Sequence, residues 1–91
     1  MISHPFERML NQQVVLDTGT PILYIGTLTE YTDDVFVLAD ADMHDCREGH
    51  ANKEVYVAEA HTEGIAVNRR SVVVMRSAVI SVSRVADIVV A

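Results

Sequence analysis

The chain has 91 residues, 49% of them hydrophobic, and a formal net charge of -6. That length suits one domain spanning 1–91, because splitting a chain this short would leave two weak cores. The acidity repels phosphate at long range and excludes strong, indiscriminate binding to RNA or DNA, so no DNA partner is expected.

The charge is unevenly placed. Arg8, Arg47 and Lys53 face twelve carboxylates up to residue 63, whereas Arg69, Arg70, Arg76 and Arg84 face Asp87 alone from residue 64 onward. No apolar run approaches the roughly 20 residues that span a bilayer, so no membrane partner is expected. The start, Met1-Ile2-Ser3-His4-Pro5-Phe6, lacks the features of a secretory signal, and a cytoplasmic location follows as the expectation. The single cysteine, Cys46, agrees with a reducing compartment.

In chain order, Ser3 or His4 before Pro5, with Phe6, Met9 and Leu10 at helical spacing, predicts a short α-helix over about 4–12. From Gln13 the pattern changes to β-branched, alternating residues, with the barrel over about 13–85. Strands are predicted near 13–17, 21–31, 34–43, 53–68 and 71–85, the last divisible near Arg76-Ser77. Asp17-Thr18-Gly19-Thr20 and Tyr31-Thr32-Asp33-Asp34 have turn chemistry. Gly26 stands in the middle of the second strand, where glycine marks a bend or a close backbone approach. The interval His44 to Asn52 is the longest polar one and reads as a hairpin loop or an extension beyond the barrel. Together these elements predict a mainly β fold, a small SH3-like or OB-like barrel behind an N-terminal helix. Side chains fill a barrel of this size, so a site should lie on loops, on an edge, or between subunits.

Three segments carry a resemblance: Gln13-Val14-Val15-Leu16-Asp17-Thr18-Gly19, Tyr24-Ile25-Gly26-Thr27-Leu28, and Val35-Phe36-Val37-Leu38-Ala39-Asp40-Ala41. In order and spacing they resemble the first Sm motif of the Sm/LSm family. Val67-Asn68-Arg69-Arg70-Ser71-Val72-Val73-Val74, or Met75-Arg76-Ser77-Ala78-Val79-Ile80-Ser81-Val82, resembles the second. The resemblance covers about residues 5 to 85. It implies a strongly bent five-stranded sheet capped by the N-terminal helix, a homo-oligomeric ring of five to eight subunits joined through edge strands, and single-stranded RNA near the pore. It implies no cofactor. Unpaired edges give the assembly an independent physical motive, and the valine-rich end of the chain is the natural donor strand.

The sequence departs from the family where RNA is read. Aligning on Leu38 places Tyr31 and Val35 where RNA-binding members carry an aspartate and an asparagine, and Asp33 and Asp34 occupy the turn. The arginine of the second motif is present, but serine follows it in place of glycine. The residues that would carry RNA are therefore Tyr31, as a stacking platform, with Asp33, Arg69, Arg70 and Arg76. The plainer reading of the arginines is a solvated strand face paired with the surplus carboxylates. The other function is an SH3-like interaction module or scaffold that binds a protein partner without RNA.

His44, Cys46 and His50 are weak candidates for a transition metal, being three N/S ligands without a second cysteine pair, and a polar loop accounts for them. Asp40 and Asp42 begin like a calcium loop, but Asp45 stands where such a loop needs glycine. His61 with Glu59 or Glu63, and Cys46 with His44, are the pairs at which catalysis could be sought. Glu59, His61 and Glu63 also fit the exposed face of a strand, and the chain is read as a non-enzyme.

Overall fold

The strands alternate apolar and polar residues only in part, because the sheet they build is covered on both faces over much of its length. A computed structural model describes residues 4–48 and 52–90. It has one sheet of five antiparallel strands: β1 Gln13–Asp17, β2 Ile22–Tyr31, β3 Val35–Asp45, β4 Arg69–Met75 and β5 Ser81–Arg84, ordered β4-β3-β2-β1-β5. One α-helix, α1 Lys53–Glu63, lies between β3 and β4, and single 3-10 turns form at Glu7–Met9, Arg76–Ala78 and Val85–Asp87.

Neighbouring residues of a strand point to opposite faces, so Val14 and Leu16 serve one core and Val15 the other. The first core holds Val14, Leu16, Leu28, Phe36, Leu38, Ala41 and Val74, closed at one end by Phe6, Met9 and Leu10. The second joins Val15, Leu23 and Ile25 to Ala60 of α1 and to Val85.

Gly26 makes the bend between these faces possible. Ile25 pairs with Asp42 and Thr27 with Ala39, so β3 carries one residue more than β2 across this interval, and Asp40 absorbs it with a φ of 48°. The bulge swings Ala41 inward over Gly26. A Cβ on Gly26 would stand 2.8 Å from the Ala41 Cβ and 3.0 Å from its Cα. A second register shift between Leu28 and Glu30 continues the bend toward the β2–β3 turn.

The strand predicted over 53–68 is instead α1 followed by an extended connection. Val55, Tyr56 and Val57 suggest a strand locally, but the Asn52 side chain caps the helix by accepting from the Val55 amide. Gly64, with a φ of 92°, ends it by donating from its amide to the Ala60 carbonyl. Tyr56, Val57 and Ala60 then bury against the outer sheet face that would otherwise leave Val15, Leu23 and Ile25 in water. Glu59, His61 and Glu63 therefore stand on a helix and not along one strand face.

The α-helix predicted over 4–12 is one 3-10 turn. Asn11 leaves it with a φ of 62° and donates its amide to the Leu28 carbonyl at 2.7 Å, drawing the chain into the sheet before a longer helix can form. The division of 71–85 is as predicted, with the turn Arg76–Ala78 separating β4 from β5. β3 extends to Asp45, so part of the expected 44–52 loop is strand. The sheet is bent but is not a barrel closed by hydrogen bonds, since among the described residues β4 and β5 remain its two edges.

Lys53 at the start of α1 donates to Asp17 at the end of β1 at 2.6 Å, and this bond, with a lesser one from the Gly19 amide, holds the Asp17 carboxyl below its usual value. A depressed carboxyl contributes stability above its unfolded pKa and loses it as pH falls through the folded value. Asp17→Asn should lower stability at pH 7, and the deficit should shrink toward zero as pH falls below 3.8; urea unfolding across pH 2 to 7, roughly the range over which a carboxyl titrates, measures it. Gly26→Ala must displace strand backbone and should cost roughly 1–3 kcal/mol, read as a lower urea midpoint at unchanged slope.

Candidate nucleic-acid interface

Two turns meet at one end of the sheet because β3 pairs with both β2 and β4. Tyr31 faces Phe36 in the β2–β3 ladder, and Val35 faces Met75 in the β3–β4 ladder. This places the Thr32–Asp34 turn against the Arg76–Ala78 turn. Thr32 organises the first of these, its Oγ1 accepting from the amides of Asp34 at 3.0 Å and Val35 at 3.1 Å. Arg76 binds the two together: its amide donates to the Asp34 carbonyl at 2.9 Å and its guanidinium to the Thr32 carbonyl at 2.7 Å.

The same guanidinium lies 5.0 Å from the Phe6 ring centroid and 5.5 Å from that of Phe36, within cation–π range. Phe6 also meets Tyr31 edge-on, and the His4 ring stacks on Tyr31 with centroids 5.3 Å apart. The Tyr31 hydroxyl donates to the Glu7 carboxylate at 2.7 Å, and that bond pushes the phenol above its ordinary value. The result is an aromatic cluster with one cation, bordered by the exposed Asp33 and Asp34. Such a surface can stack a planar base and offer one positive charge to its backbone, while the two aspartates oppose phosphate.

The five residues predicted to carry RNA do not form one group. Tyr31, Asp33 and Arg76 gather at this end. Arg69 and Arg70 open β4 at its other end, where Arg69 pairs opposite Ala41, about 20 Å away at the ordinary rise of a strand. Arg84 is held by Asp87 through two bonds of 2.8 Å. Sequence reasoning missed His4, Phe6 and Glu7, and the i, i+3 spacing of His4 and Glu7 around Phe6 was the available signal.

The weak metal set is engaged otherwise. The His44 ring stacks on Tyr56 at 3.8 Å, and Cys46 packs against the second core, where burial raises its thiol pKa. Arg47 clasps Asp45 and draws that carboxyl down to about 2. His50 lies outside the described residues. Among the described residues no three His, Cys, Asp or Glu side chains converge on a metal position. His61 donates from Nδ1 to the Val85 carbonyl at 2.8 Å, fastening α1 to the chain after β5.

Asp42 is a buried polar anchor and not a calcium ligand in a loop. The Tyr56 hydroxyl and the Asn68 amide both donate to its carboxylate, and burial raises its pKa.

A five-stranded, strongly bent antiparallel sheet, with its β2–β3 and β4–β5 turns side by side, is the Sm fold. An Sm protein of Pyrococcus abyssii, solved in complex with a uridine heptamer, superposes with a TM-score of 0.59 over 90% of this chain and 99% of that one, at 19% identity. No family profile matches the chain, and no curated protein matches it in sequence. None of the described helices is long and apolar enough to cross a membrane.

Arg76→Ala removes the bond to Thr32 and both ring contacts, and should lower stability by about 1–2 kcal/mol in urea unfolding. Tyr56→Phe leaves one buried Asp42 oxygen short of a partner and should cost about 1–3 kcal/mol by the same measurement.

Proposed function

We propose that this chain is a non-enzymatic, single-domain subunit that assembles head to tail through β4 and β5 into a closed ring, and that the ring binds single-stranded RNA at its paired turns. The juxtaposition of Arg76 with the half-buried rings of Tyr31 and Phe6 carries the RNA reading. Stacking on aromatic rings is tolerant of sequence and does not need the absent asparagine. The bound heptamer of the Pyrococcus protein, a likeness of fold, supports the same ligand class. Asp33 and Asp34 weaken the attraction to phosphate, so the affinity is modest and falls with salt.

Two open edges support the ring, since an unpaired strand is a liability that a neighbour's strand removes. Light scattering should give a mass five to eight times the 10.1 kDa of one chain, and a strict monomer would overturn the ring. Fluorescence titration with uridine-rich and adenine-rich oligomers at low salt should show binding that Arg76→Ala weakens about tenfold, as expected from losing a stacked cation. The pair Arg69→Ala and Arg70→Ala should leave that binding unchanged.

The carboxylates around the turns favour a second reading, a scaffold for a basic protein partner. Partners retained on a pull-down after nuclease treatment would favour it over RNA.

A further inference from the structure

A cleft of about 520 Å³ lies away from the paired turns, on the outer sheet face beside β5. Val15 and Leu23 of the sheet, Val57 of α1, and Ile88 and Val89 supply its apolar lining, beside the paired Asp17 and Lys53. Along its open side run Ser81 and Ser83, the outward positions of β5, since Ser83 pairs with the outward Val15 and Ser81 with Asp17. Two serines in succession leave the space beside the edge unfilled by the chain's own side chains.

The opposite edge carries what is missing here. On β4, Val72 and Val74 pack inward, whereas Val73 and Met75 point outward and are 57% and 56% exposed. A β4 strand from a second copy, added antiparallel to β5, continues the sheet with its outward residues on the same face as Ser81 and Ser83. Val73 and Met75 then reach over the serines toward Val15, Val57 and Val89. In this direction the neighbour's Arg69 and Arg70 are carried toward the Val85–Asp87 turn.

Resting on the head-to-tail assembly proposed above, we infer that the cleft between α1, β5 and the residues after Asp87 is a socket for Val73 and Met75 of the next copy. On this reading α1 and Ile88–Val89 are parts of the subunit interface, and strand pairing alone is insufficient for it. The apolar contact also gives the assembly a preference for its own copies, because another edge strand would need matching outward side chains.

Val89 is 91% exposed in the single chain, so Val89→Asp leaves the fold intact while placing a carboxylate in the socket. Light scattering across a dilution series should show self-association weakened tenfold or more, the order expected from losing a buried apolar contact. Val55→Asp, on a face of α1 away from the cleft, should leave the mass unchanged. In a Cys46→Ser background, mixing Val73→Cys with Val89→Cys should give a disulfide-linked dimer that neither gives alone. An oligomeric wild type with unchanged mass for Val89→Asp and no mixed disulfide would overturn the socket and leave the ring standing. A monomeric wild type would overturn the ring and the socket with it.

Discussion

The fold depends on the contact between Gly26 and Ala41. Strands whose side chains alternate strictly cannot bend sharply toward one face, because the inner Cβ atoms collide as the strands curl. Here the inner position of β2 has no Cβ, and β3 spends one extra residue at Asp40 to bring Ala41 across the vacancy. The consequence reaches beyond the bend. By shifting the alternation of β3, the bulge keeps Leu38 and Ala41 in the inner core and turns Asp42 and His44 outward to α1. One missing methyl thus permits the curl and sets which face each later β3 side chain occupies.

The outer face shows how a polar group can specify packing. Asp42 is only 3% exposed, and a carboxylate so placed is costly unless its oxygens are satisfied. Tyr56 and Asn68 supply the donors, one from α1 and one from the connection leading to β4. Both segments are therefore held in one position over the sheet. The Lys53–Asp17 pair and the His61–Val85 bond hold α1 at its two ends. The helix is anchored at three places by polar contacts, and the apolar contacts of Val57 and Ala60 fill the space between.

At the paired turns the geometry supports stacking better than charge attraction. Arg76 already donates to Thr32 and lies over two rings, so its guanidinium is ordered before any ligand arrives. Order of this kind lowers the entropic cost of binding. His4 covers one face of Tyr31, and Glu7 holds its hydroxyl, so the N-terminal turn belongs to this surface as well as to the core.

Much of the sheet was legible in the residues themselves. The β-branched runs of β1, β2 and β3, the glycine at position 26 and the turn chemistry of Tyr31-Thr32-Asp33-Asp34 are local signals, and the order of the strands along the chain follows from them. The helix over Lys53–Glu63 was not, since Val55-Tyr56-Val57 favours a strand until the outer face of the sheet is present to receive it. Nor could the sequence divide its arginines: Arg70 and Arg76 are six positions apart, yet Arg70 opens β4 and Arg76 lies in the turn beyond its other end. Strand propensity and turn chemistry depend on neighbours in sequence, so the chain by itself determined them. Which face α1 covers, which carboxylate is buried and which cation meets the aromatic rings depend on residues distant in sequence, and only the folded sheet decided those.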